Sequence, residues 1–129
     1  VPCIQPIGGH AVFIDAGAFL PHIPQGSYPA DVLSIEIYRE GAVRGIGLGA
    51  LAFENVDEKT GERTFPKLEL YRLAINRRTY TNSHMEYVAE TIVNVYRRRD
   101  SIRYGLEITY EPPVKGLKHF LAHLKPKNL

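Results

Sequence analysis

Leu68-Glu69-Leu70-Tyr71-Arg72-Leu73-Ala74-Ile75 is the stretch on which the fold turns. Successive side chains of a strand point to opposite faces, so Leu68, Leu70, Arg72 and Ala74 share one side and Glu69, Tyr71, Leu73 and Ile75 the other. Both sides are largely apolar. That predicts a strand inside a sheet and covered on both faces.

Working outward from it, Val43 to Phe53 is apolar with Gly45, Gly47 and Gly49 alternating, which predicts a strand whose backbone closely approaches another surface. The polar segment Asn55 to Pro66, centred on Lys59-Thr60-Gly61, predicts a hairpin-like excursion between the two. Ala11 to Asp15 is a short β-rich run after the Gly8-Gly9 turn, and the Pro21, Pro24, Gly26 cluster that follows is loop. Pro29 suits a first helical turn because its missing N–H has no partner there; Gly41 is a natural terminator. Val32, Leu33, Ile35 and Ile37 form the buried stripe of that helix.

Downstream, Ser83 followed by Glu86 is a capping-box candidate, and Met85, Val88, Ala89, Ile92 and Tyr96 recur at helical spacing to about Arg99. Leu106, Ile108 and Tyr110 alternate with Glu107, Thr109 and Glu111 in an amphipathic strand that Pro112-Pro113 ends; a last strand is expected over Leu117 to Leu124. The sum is an α+β fold, a small, mostly antiparallel sheet with two helices packed on one side.

With 129 residues, 44% of them hydrophobic, the chain can bury one core, and residues 1–129 are read as one domain without internal repeats. Sixteen Lys and Arg against 14 Asp and Glu leave a net +2, too little to point to nucleic acid or an anionic membrane as the main partner. No apolar run approaches the roughly 20 residues that cross a bilayer. The single cysteine, Cys3, excludes an intrachain disulfide and a cysteine zinc site, so a reducing, cytoplasmic setting is expected. Val1-Pro2-Cys3-Ile4 reads like the interior of a folded protein, and the expectation is that residues precede it.

Arg72 is the most informative residue, because a guanidinium among Leu68, Leu70 and Ala74 calls for a carboxylate. An internal acid would make it structural; a ligand carboxylate, gripped by arginine's planar fork, would make it functional. Pattern alone favours the internal acid. His10, after Gly8-Gly9, projects at a strand's start where a ligand could approach; His22 and His84 carry less signal. His119 and His123 fall on one face of the expected last strand but lack a third metal ligand. Arg97-Arg98-Arg99 with Arg103 reads as a solvated helix end meeting the helix dipole. The Gly45-x-Gly47-x-Gly49 spacing fits neither nucleotide fingerprint, and there is no Gly-x-Ser-x-Gly elbow.

Four stretches carry a resemblance: Gln5-Pro6-Ile7-Gly8-Gly9-His10-Ala11-Val12-Phe13-Ile14-Asp15-Ala16, Pro66-Lys67-Leu68-Glu69-Leu70-Tyr71-Arg72-Leu73, Arg77-Arg78-Thr79-Tyr80-Thr81 with Ser83-His84-Met85, and Tyr110-Glu111-Pro112. In family order and nearly end to end, they resemble the carboxy-terminal part of the tryptophanase and tyrosine phenol-lyase family of β-eliminating lyases. The resemblance implies the small domain of a fold-type I pyridoxal-phosphate enzyme, usually a homotetramer. The cofactor would be held mainly by a large domain that carries the Schiff-base lysine and is absent here, so residues 1–129 alone would be inactive.

It further implies that Arg72 binds the α-carboxylate of an amino-acid substrate, with His10 nearby and His119 and Phe120 approaching the substrate side chain. Leu48 stands where tyrosine phenol-lyases resemble an arginine-bearing pattern and tryptophanases an apolar one. Together with His119 this favours cleavage of tryptophan to indole, pyruvate and ammonia over release of phenol. Gly47 in place of a family acid, Asn76 in place of a proline and Leu121 in place of a threonine depart from the pattern and leave another amino acid open. A free-standing α+β ligand-binding module is the alternative of a different class.

Overall fold

In the computed structural model, which describes residues 1–129, the elements run β1 (Ala11–Asp15), α1 (Ala16–Phe19), α2 (Pro29–Gly41), β2 (Ile46–Leu48), α3 (Ala50–Phe53), β3 (Asn55–Val56), β4 (Arg63–Thr64), β5 (Leu70–Ala74), α4 (Asn82–Arg97), β6 (Tyr104–Tyr110), α5 (Lys118–Leu121) and β7 (His123–Asn128). The α+β class stands, with all strand pairs antiparallel, but the strands divide among three small sheets. β5 is the central strand of the first, between β1 and β2. β3–β4 is the expected excursion, and β6–β7 is a separate two-stranded ribbon.

Register assigns the two faces of the first sheet. Phe13, Arg72 and Ile46 lie across from one another, as do Asp15, Leu70 and Leu48, and these residues point outward. Ile14, Tyr71 and Gly47 point inward, where Tyr71 and Leu73 join Val32, Leu33 and Ile37 of α2, Ile92 and Val95 of α4, and Phe19 and Leu20 in one core. β5 is therefore covered once, not twice. Both long helices lie on the inner side, and no element crosses the outward face, where Arg72 is half-buried and Ala74 exposed.

The glycines around β2 show why the backbone had to approach so closely. A Cβ on Gly45 would run into the Tyr71 ring, one on Gly47 into the Asp31 carboxyl, and one on Gly49 into the Glu69 carboxyl. Glu69 is 3% exposed; its Oε1 accepts the Ala50 N–H at 2.6 Å and the Gln25 Nε2 at 3.2 Å. That carboxyl caps a helical turn, which is why the expected strand over Val43 to Phe53 stops at Leu48 and turns helical at Ala50.

Three further expectations are corrected by local chemistry. α2 includes Gly41, and the left-handed residue is Ala42 (φ 54°); Gly41 is required because any side chain there would strike Thr91 of α4. α4 is capped by Thr81 with His84, not by Ser83 with Glu86, since the His84 Nδ1 accepts the Thr81 N–H at 3.0 Å where a Glu or Gln would ordinarily do so. The last strand begins at His123, after a helical turn over Lys118–Leu121, and it tolerates Pro126 because β7 is an edge strand paired only with β6.

Asp31, half-buried, and Glu69, buried, are acids without a basic neighbour, and their enclosed Oδ2 and Oε2 atoms lack a hydrogen-bond partner. Burial first, and the Glu69 charge second, push the Asp31 carboxyl up to about 7; burial also raises Glu69. A carboxyl raised above its unfolded value stabilises the fold below about pH 4, and that contribution is lost as the pH rises through about 7. Relative to Asp31→Asn, the wild type should lose roughly 3 kcal/mol of unfolding free energy between pH 5 and pH 8, measured by urea titration at both. Gly49→Ala, which forces a methyl against Glu69, should cost about 1–3 kcal/mol in the same assay.

Candidate substrate-binding face

The outward face of the β1–β5–β2 sheet presents one cation among apolar groups. The Arg72 Cζ lies 5.9 Å from the centroid of the Phe13 ring, with Ile46 on its other flank and Leu48 diagonal to it beside Leu70. Arg72 makes no ion pair and no side-chain hydrogen bond. The acid nearest in register, Asp15, sits across from Leu70, but its carboxylate accepts the Ala18 N–H at 2.9 Å and caps α1. The internal acid expected from pattern is thus missing. Half exposure keeps the guanidinium solvated, and its five donors remain directed at whatever reaches this face.

Arg72 and Leu48 share this face, whereas His10 stands just before β1, and His119 and Phe120 lie on a separate helical turn. His10 is exposed just before β1, its ring folded toward Gly8, and its carbonyl accepts the Ile75 N–H at 2.8 Å where the β1–β5 ladder ends. His119 and Phe120 lie on α5, ring against ring with centroids 3.9 Å apart, and α5 packs against α3, the turn that follows β2. What holds α5 is a buried hub absent from the sequence reading. Lys118 pairs with Glu54, whose carboxylate also accepts Arg63 Nε at 3.2 Å and the Tyr28 hydroxyl at 3.1 Å. Burial alone would raise the Glu54 carboxyl; the hydrogen bonds from Lys118 and Arg63 outweigh it and hold the group below the usual carboxylate range.

The remaining histidines have structural work. His22 Nε2 lies 2.8 Å from the Ile102 carbonyl, His84 caps α4, and His123 packs on Tyr110 with ring centroids 5.0 Å apart. His119 and His123 belong to different elements, and no group of three or more His, Cys, Asp or Glu could hold a metal ion. The arginine run is more than a solvated helix end: Arg98 donates to the buried Glu36 at 2.7 Å and to Glu40 at 3.2 Å, tying α4 to α2.

On the opposite side of the sheet an apolar groove of about 650 Å³ runs between the first half of α4 and the Val12, Ile14 and Leu73 side chains. Met85 and Val88, half-buried members of the helical stripe, line it because nothing in the chain covers them. No helix is long and apolar enough to cross a membrane.

As for a cofactor aldehyde, the buried lysine, Lys118, is held in the ion pair with Glu54, and Lys125 and Lys127 are exposed on β7. These residues do not fit the imine-forming end of pyridoxal phosphate. What the chain presents instead is an unpaired guanidinium with apolar flanks.

Over 126 residues, 98% of the chain, it is 50% identical to a probable tryptophanase from Aeropyrum pernix, and over 127 residues, again 98%, it is 50% identical to a tyrosine phenol-lyase from Pasteurella multocida. Along nearly its whole length the chain matches a segment of proteins named tryptophanase and tyrosine phenol-lyase. A tryptophanase from Salinibacter ruber is 46% identical over 127 residues. No protein-family model matches. The chain spans about a quarter of the length of these relatives, 27% of the first two and 26% of the third. Equal identity to both kinds of lyase means that overall similarity does not choose between indole and phenol.

Because Arg72 has no partner within the chain, Arg72→Ala should change unfolding free energy by no more than about 0.5 kcal/mol, as for a surface substitution. Urea denaturation of the two proteins checks this, and a loss of several kcal/mol would restore a structural role.

Proposed function

We propose that residues 1–129 form the carboxy-terminal small domain of a pyridoxal-phosphate-dependent β-eliminating lyase that cleaves tryptophan to indole, pyruvate and ammonia. The observation that carries the reading is the unpaired guanidinium of Arg72 on an apolar, uncovered sheet face, in a chain 50% identical to two such lyases. The cofactor is held mainly by a large domain outside this segment. The segment alone is inactive, and the whole enzyme is a cytoplasmic homotetramer.

Arg72 takes the α-carboxylate of the amino acid in a bidentate grip, which fixes two points of the substrate and so the direction of its Cα–H bond. Phe13 and Ile46 flank the guanidinium on either side. When bound, pyridoxal phosphate supplies the electron sink that makes loss of the α-proton and departure of the β-substituent feasible. Leu48 offers an apolar wall to the leaving ring, suited to indole, with His119 and Phe120 approaching from α5 and His10 from the β1 end. Tyrosine phenol-lyase activity is the second reading, favoured by the 50% identity to the Pasteurella multocida enzyme.

The full-length lyase, loaded with pyridoxal phosphate, should release indole with pyruvate and ammonia from tryptophan. Phenol from tyrosine would move the assignment to the second reading, and turnover of neither would overturn both. Arg72→Ala in that enzyme should raise KM for the amino acid by a factor on the order of 100, since it removes a charged hydrogen bond, while cofactor absorbance stays normal.

A further inference from the structure

α5 is a single helical turn, too short to persist by itself, and apolar burial does not hold it: Phe120 is 64% and Leu121 51% exposed. Its buried residue is Lys118, whose side chain is 10% exposed and whose ammonium meets Glu54, 3% exposed. Glu54 in turn directly follows α3, and α3 follows β2 after Gly49, so the acid stands six residues after Leu48 on the same run of chain. The pair thus joins the segment carrying His119 and Phe120 to the segment carrying Leu48.

We propose that Lys118 and Glu54 are positioning residues, whose buried ion pair sets where His119 and Phe120 stand relative to α3 and the end of β2 and thereby governs the fit of the substrate's side chain. The inference rests on the reading that the outward sheet face receives an amino acid. The two halves of the pair are not equivalent. Without Glu54, Lys118 and Arg63 would be left beside one another, with Glu111 as the remaining acid, 3.5 Å from Lys118. Without Lys118, Glu54 keeps Arg63 and the Tyr28 hydroxyl, so its charge stays compensated and the hub persists while α5 loses its anchor. Lys118→Met, which retains the aliphatic stem, is therefore the informative change, and Lys118→Arg retains the charge.

The test compares the full-length, pyridoxal-phosphate-loaded wild type with both variants, using the aromatic amino acid that the wild type cleaves and 3-chloro-L-alanine, whose β-substituent carries no aromatic ring. Lys118→Met should raise KM for the aromatic substrate about tenfold, an effect expected of small misplacement, with KM for 3-chloro-L-alanine and cofactor absorbance unchanged. Lys118→Arg should recover most of the loss. Equal changes for both substrates, or none for either, would overturn the positioning role. Should the wild type cleave no amino acid, the functional reading fails first, and amide hydrogen exchange of the 129-residue chain decides the rest. Faster exchange over residues 118–122 alone in Lys118→Met supports the anchor, and unchanged exchange overturns it.

Discussion

A carboxyl group placed inside the molecule governs the course of the chain around the central sheet. Glu69 points inward from the start of β5, caps α3 through the Ala50 N–H and leaves no room for any side chain at Gly49. Asp31, from the first turn of α2, imposes the same demand at Gly47. No lysine or arginine stands beside them; burial raises both carboxyls, and backbone N–H donors at the helix starts offset part of that. The turn that places Leu48 next to Arg72, the helical turn after it and the arrival of Glu54 at the α5 hub all follow from that arrangement.

Charges elsewhere are distributed by the opposite rule. Glu36 and Glu54 are buried acids with basic partners, Arg98 and Arg39 for one, Lys118 and Arg63 for the other, and they clamp elements distant in sequence. Arg72 is the exception, a base on a sheet face whose neighbouring acid is committed to a helix cap. Its guanidinium is left without a partner inside the chain.

Local pattern was sufficient wherever the deciding force was local. Pro29 gave α2 its start, and the runs Leu68 to Ile75 and Leu106 to Glu111 located β5 and β6 to within two residues at each end. It failed where a distant side chain decides: nothing in Ala50-Leu51-Ala52-Phe53 announces that Glu69 will cap it, and nothing in Lys118-His119-Phe120-Leu121 announces Glu54. Pro126 similarly hid a strand, because its lack of a donor matters less at an edge. Of the site, Arg72 was legible as a base in an apolar strand, but its want of an internal partner required the register of β1, in which Asp15 lies across from Leu70.

β2 divides its duties between faces. Its inward positions are fixed as glycine by Tyr71, Asp31 and Glu69, while Ile46 and Leu48 on the outward side touch none of these groups. A lineage, or a randomised library, can therefore vary the outward pair without touching what holds the sheet together.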